Sequence, residues 1–364
     1  MTRMTLPAQG RDWDTLKAEM TGMAEGDVDW RSGKLAVYIF NAGEDVLDVG
    51  HDAYGLFTSE NGLGPLAFPS VATMEKQVIE IGLSLLNAPD TGWGAMTSGG
   101  SESIMCAVKA ARAYAKQTRG VKAGEGEIIL PMTAHPAFDK AAQTLELSVK
   151  RIPVSMPSGE ADMAAMRAAV TDNTIMIVGS APNFPYGVVD PIPELSALAL
   201  ELDLWLHVDA CVGGYFAPFA KELGVDIPDF DFTNPGVSSI SADLHKYGYA
   251  PKGASTVFYS DEAKAQGQTF TFDNWPGGFM YTPTMAGTRP AGAIAAAWAV
   301  MNYLGHEGFL ETTRKALGAA NLLRDHIAGH TDLEVIGTSK LALVGYRSNR
   351  HDAGQILGGL MEKG

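Results

Sequence analysis

Apolar residues recur at Val71, Met74, Val78, Ile81 and Leu85. That spacing follows one face of a 3.6-residue period and predicts an amphipathic helix over residues 71–86. Downstream, helical stretches alternate with short apolar runs. Helices are expected over residues 101–116, 137–147, 161–170 and 193–202. Strands are expected over 127–131, 150–154, 174–179 and 204–208, and again over 238–242. Such alternation predicts an α/β fold, a mostly parallel central sheet flanked by helices. Ligands of such sheets sit at the carboxyl ends of the strands. Beyond Arg289 the pattern changes. Helices over 291–304 and 309–326 precede strand-like runs at 333–336 and 341–346 and a last helix over 353–363. The expected organisation is an N-terminal arm (1–60), a large domain (61–288) and a smaller C-terminal α+β domain (289–364). The two late strands would have few partners, so the small domain is expected to be truncated.

Composition narrows the function. Forty-two acidic against 27 basic residues give a formal charge of −15, which argues against a nucleic-acid binder. It leaves room for an anionic small ligand held by a few N–H groups or lysines. The only cysteines, Cys106 and Cys211, have no metal or disulfide spacing, which fits a reduced cytoplasmic protein. The N-terminus has no apolar signal core. The longest apolar run, about 14 residues over 291–304, is shorter than the roughly 20 that span a bilayer. No transmembrane segment and no metal site are expected.

Candidate chemistry collects at strand ends. The run 238–242 leads into His245 and Lys246. A desolvated lysine amine can form a Schiff base with a carbonyl; alone, a His-Lys pair is more often a solvated strand end. Four other features bear on it. Gly99, Gly100 and Ser101 open a helix, where free N–H groups and a hydroxyl make a phosphate cradle or an ordinary capped turn. Asp209 ends the strand over 204–208, where a carboxylate can hold a ring nitrogen protonated or simply be solvated. His135 follows the strand over 127–131, placed to stack on a planar ligand or to cap a helix. Arg289 can clamp a carboxylate or phosphate, or lie on the surface. No Walker loop or Ser-His-Asp pattern competes.

The strings at 97–104 (TSGGSESI), 134–142 (AHPAFDKAA), 180–192 (SAPNFPYGVVDPI), 207–214 (HVDACVGG), 239–255 (SISADLHKYGYAPKGAS) and 283–290 (PTMAGTRP) resemble the fold-type I, group II pyridoxal-phosphate-dependent decarboxylase superfamily. Within it the chain is most similar to the sphingosine-1-phosphate lyases, from about Tyr54 onward. The resemblance implies pyridoxal 5'-phosphate as cofactor, with Lys246 as the Schiff-base lysine. It implies that Asp209 pairs with the pyridine nitrogen, Ala210 packs beside the ring and His135 stacks on its other face. Gly99, Gly100, Ser101 and His245 would hold the phosphate. Gly287 and Thr288 would reach the cofactor of a partner subunit, since the family builds shared sites in a homodimer. Asn61, Tyr249, Lys252 and Arg289 would contact the substrate, a small-molecule amine or amino acid, with Lys252 suited to a substrate phosphate.

Two departures stand out. Ser101 replaces the family's usual threonine. The loop at 61–70 reads NGLGPLAFPS rather than NPLHPDIFPG, so Gly64 replaces a histidine of the substrate-phosphate site. The expected function is a carbon–carbon lyase that cleaves a phosphorylated long-chain amino alcohol to an aldehyde and phosphoethanolamine through an external aldimine. An amino-acid decarboxylase is the alternative, favoured by Gly64. A catalytically silent binding or assembly homologue is the remote one.

Overall fold

The computed structural model describes residues 3–35 and 37–361, Met361 by its backbone. They form two compact units, Phe40–His351 and a second made of residues up to 39 with those from 352 onward. The second unit holds helices α1 (Trp13–Met23) and α11 (Ala353–Met361). The Asp12 carboxylate caps α1 by accepting from the Thr15 amide at 3.0 Å. The rest of the helix expected to reach Lys363, and the end of the chain, lie outside the described residues.

Two helices, α2 (Glu44–Leu56) and α3 (Pro69–Leu85), lead into the sheet. Its strands are β1 (Trp93–Thr97), β2 (Glu127–Pro131), β3 (Ser148–Ile152), β6 (Thr174–Ser180), β7 (Trp205–Asp209), β8 (Val237–Ala242) and β9 (Ser255–Tyr259). A short ribbon, β4 (Val154–Ser155) with β5 (Glu160–Ala161), falls between β3 and β6. The order is β1-β9-β8-β7-β6-β2-β3, with β9 antiparallel to both neighbours and the other pairings parallel. Strand β1 therefore runs in the same direction as β8, and its carboxyl end reaches the same edge.

Side chains alternate between two cores. Ile129, Ile177, Leu206 and Val208 join one core; Ile128, Leu130, Val178 and Trp205 join the other. Helices α4 (Gly100–Arg119) and α5 (Ala137–Thr144) cover the second face. Helix α4 presents Ile104, Ala107, Val108 and Ala111, all essentially inaccessible; burying the Ile104 side chain contributes about 1.5–3 kcal/mol. The first face is covered by α3, α6 (Met163–Ala169), α7 (Ile192–Leu202), α8 (Ala217–Glu222) and α10 (Ala291–Ala328). Burial on both faces explains why the strands read as apolar runs rather than as alternation.

The expected α/β architecture is present. The two helices expected after Arg289 are α10, interrupted at Gly305, whose φ of +56° a side chain resists. Short α9 (Glu262–Ala265) precedes the ribbon β10 (Phe270–Phe272) with β11 (Met280–Thr282), and β12 (Leu333–Ile336) pairs with β13 (Gly345–Ser348). The strand expected over 341–346 starts later, because the buried Leu341 gives its carbonyl to Arg324. Pattern reading missed α1, α2, β1 and β9. Strand β1 is short, and its first two residues close the turn-rich stretch 87–94.

Candidate functional site

Four strands end at one edge of the sheet, and the chemistry collects there. After β1, the chain turns through Gly99 into α4. No side chain caps this helix, so the Gly100 and Ser101 amides are free donors at the positive end of the dipole. A Cβ on Gly100 would stand 2.7 Å from Cys211 Sγ and 3.0 Å from both Asp243 oxygens. Position 100 therefore brings backbone where no side chain fits. Beside Gly99 lies the His245 ring. Its Nδ1 is buried with no hydrogen-bond partner among the described residues, and its pKa is lowered, chiefly by burial.

After β8, Lys246 Nζ sits 3.0 Å from Asp243 Oδ2. Asp243 is 3% exposed, and its Oδ1 accepts from Ser255 Oγ at 2.5 Å. The Ser255 hydroxyl continues to Ser103 at 2.9 Å and from there to Thr97 at 2.6 Å. Burial pulls the Lys246 pKa down, but the neighbouring Cys211, Asp243 and Asp209 outweigh it and hold the ammonium above its ordinary value. Burial pushes the Cys211 thiol well above its own ordinary value. After β7, Asp209 Oδ1 accepts from the Cys211 amide at 3.1 Å and from Ser241 Oγ at 3.3 Å.

This arrangement joins an anion cradle, a buried lysine with a counter-ion, and a buried carboxylate. The profile of the pyridoxal-dependent decarboxylase conserved domain matches residues 3–349. The chain belongs to the pyridoxal-dependent decarboxylase family. It is 39% identical to the sphingosine-1-phosphate lyase of Dictyostelium discoideum over 94% of this chain and 64% of that protein. Thus it spans about two thirds of the length of the curated sphingosine-1-phosphate lyases it matches. It is 32% identical to a probable L-aspartate decarboxylase of Pyrococcus furiosus, covering 95% of this chain and 90% of that protein. Among solved structures, the sphingosine-1-phosphate lyase of Burkholderia pseudomallei K96243 superposes with a TM-score of 0.95 at 35% identity, covering 100% of this chain and 84% of that one.

The cofactor of this decarboxylase-family chain is pyridoxal 5'-phosphate, and the site fits it. The unpartnered His245 Nδ1 and the uncapped start of α4 together offer donors to a phosphate. Lys246 stands beside them as the amine for an aldehyde.

The other expected site residues are placed as follows. Ala210 is buried directly after Asp209. His135 follows β2 at the same edge, where its Nδ1 accepts from the Ala137 amide at 3.2 Å at the start of α5. Asn61 Oδ1 accepts from the Leu63 and Arg289 amides, and Asn61 Nδ2 donates to Thr288 Oγ1 at 3.3 Å. A Cβ on Gly287 would meet only open space. Lys252 Nζ donates to the His245 carbonyl at 3.0 Å, 5.7 Å from the centre of the Phe40 ring. Its pKa is lowered by burial and by repulsion from Lys246.

Two expected substrate residues are otherwise engaged. Arg289 pairs bidentately with Glu75 and donates to the Gly62 carbonyl at 2.7 Å, so its terminal nitrogens are taken. Tyr249 is 7% exposed and packs against Tyr247 and Phe309, with a φ of +56°. Asp243 was missed, although the string SADLHK contains it. Its signal was an acidic residue one helical turn before a lysine, which sequence cannot distinguish from a surface pair.

Proposed function

We propose that the chain is a pyridoxal-phosphate-dependent carbon–carbon lyase acting on a phosphorylated long-chain amino alcohol. Bound pyridoxal 5'-phosphate supplies an aldehyde for an amine and a ring that draws electrons. The protein's part is to bind, orient and move protons. The Gly100 and Ser101 amides and His245 hold the phosphate. Lys246 Nζ would supply the amine for the cofactor's aldehyde and, when free, would hold a proton beside Asp243. Asp209 would pair with the ring nitrogen and keep it protonated, and Ala210 and His135 would contact the ring. Gly287 and Thr288, open in the protomer, serve the site of a second copy in a homodimer. Two buried, unpaired cysteines fit a cytoplasmic setting.

The observation that carries the lyase reading is Lys252. It is an exposed ammonium anchored next to Lys246 through the His245 carbonyl, and it can hold a substrate phosphate. By contrast, Arg289, the natural clamp for a substrate carboxylate, is committed to Glu75. Gly64 and the Pyrococcus relative favour a second reading, amino-acid decarboxylation. A product assay separates them. Sphingosine-1-phosphate should yield long-chain aldehyde and phosphoethanolamine. Carbon dioxide from amino acids without any aldehyde would overturn the lyase reading. Borohydride should fix the cofactor to wild-type protein, and no adduct should form on Lys246→Ala.

A further inference from the structure

Strands β7 and β8 are buried on both faces, yet they carry a row of polar side chains. Trp205, His207 and Asp209 alternate along β7, Ser239 and Ser241 along β8. The register sets His207 opposite Ser239 and Asp209 opposite Ser241. None of the five is more than 8% exposed. Buried polar groups are normally paired, and here they pair with one another. Trp205 Nε1 lies 2.8 Å from Ser239 Oγ, and Ser239 Oγ lies 2.8 Å from His207 Nδ1. His207 Nε2 is 3.2 Å from Ser241 Oγ, which is 3.3 Å from Asp209 Oδ1.

The two ends set the direction. An indole N–H only donates and a carboxylate only accepts. Ser239 therefore accepts from Trp205 and passes its own proton to His207 Nδ1. His207 then carries its proton on Nε2 and donates to Ser241, whose hydroxyl donates to Asp209. The reverse orientation at His207 would leave the buried Ser239 proton without an acceptor. The ring must also be neutral, and burial holds its pKa down at about 4.

We infer that Ser241, His207 and Ser239 are positioning residues for Asp209. Their one-way chain of hydrogen bonds pins Oδ1, leaving Oδ2 for the ring nitrogen of the cofactor. This rests on the reading of Asp209 as the partner of that nitrogen. The chain moves no proton during turnover; it fixes the geometry of one carboxylate.

The test is a double-variant cycle on the full chain, read by titration with pyridoxal 5'-phosphate and by the cofactor's absorbance against pH. Ser241→Ala should bind the cofactor roughly tenfold more weakly, as expected for a lost bond to a charged acceptor. Asp209→Asn should lose more. Ser241→Ala with Asp209→Asn should be no weaker than Asp209→Asn alone, because Ser241 acts through Asp209. Additive losses would make Ser241 a merely structural residue and overturn the inference. Unchanged affinity and spectrum in Asp209→Asn would overturn the reading of Asp209 itself. Should Ser241→Ala not fold, nitrogen-15 spectra of histidine in the wild-type holoenzyme decide. His207, assigned through His207→Gln, should be neutral with its proton on Nε2 at pH 5.5. A proton on Nδ1, or a charged ring, would overturn the direction of the chain.

Discussion

At position 100 even one methyl group is too much. It would meet the Cys211 sulfur at 2.7 Å and both Asp243 oxygens at 3.0 Å, and these buried neighbours cannot move aside cheaply. Gly100→Ala is expected to cost about 1–3 kcal/mol of stability and to weaken cofactor binding, read by thermal melting and cofactor titration. Gly64 is the opposite case. A Cβ there meets only Ala67 Cβ at 3.7 Å and Phe68 Cδ2 at 3.8 Å, ordinary contacts. Gly64→His should therefore melt within about 0.5 kcal/mol of wild type. It should lower KM for a phosphorylated amino alcohol if residue 64 borders the phosphate subsite; an unchanged KM would remove it from that subsite. The Lys246–Asp243 pair makes a pH prediction. A lysine whose folded pKa is raised adds stability that is present below its unfolded value, near 10.4, and is lost as pH rises through the folded value. Replacing the carboxylate lowers that folded pKa. In cofactor-free Asp243→Asn, Lys246 should react with acetic anhydride at lower pH than in wild type, as followed by mass spectrometry.

His207 on β7 and Asp190, hydrogen-bonded to the end of β6, set two opposing pH slopes. Burial holds His207 down to about 4, below its unfolded value near 6.5. Between those values the unfolded chain binds more protons, so this residue makes stability rise with pH. Asp190 accepts from the Ser180 and Ala161 amides at 2.8 and 2.9 Å, yet burial pushes its carboxyl up to about 7. Between about 3.9, its unfolded value, and 7 the folded chain binds more protons, so stability falls as pH rises. Relative to wild type, His207→Gln should tilt the melting temperature downward with rising pH between 4 and 6.5, and Asp190→Asn should tilt it upward. Melting temperatures measured across that range check both signs. The elements themselves were largely readable. Strands 127–131 and 174–179 show as apolar runs because both faces are covered. Strand β9 went unread, although Pro251 and Gly253 punctuate the chain just before its β-branched and aromatic run.

For the whole molecule, the open space at Gly287 bears on assembly. A Cβ at position 287 meets nothing within 4 Å among the described residues of the protomer, so the cofactor-free melting temperature of Gly287→Val should match wild type. If a second copy places its cofactor phosphate there, the variant should bind pyridoxal 5'-phosphate at least about tenfold more weakly, the effect of about 1.4 kcal/mol. Unchanged affinity would mean that the segment serves no neighbouring site. Exposed Phe270, Phe272, Phe279 and Tyr281 on the β10–β11 ribbon offer an apolar surface of the kind an interface covers. Sedimentation of Phe279→Ser against wild type reads its share in association.

The sequence by itself determined the α/β alternation and marked the candidate residues for a cofactor site, because burial on both sheet faces and the needs of one cofactor leave local strings: a glycine turn before a helix, HVDA at a strand end, SADLHK after another. It also fixed the period-two spacing of Trp205, His207, Asp209, Ser239 and Ser241, though not its meaning. Tertiary structure decided which side chains meet. Register joined the polar rows of β7 and β8 into one chain, and the packing of the loop at 61–64 took Arg289 for Glu75. The turn after β8 set Asp243 against Lys246. These choices depend on distances across elements far apart in the chain, and such distances leave no local trace in composition or period.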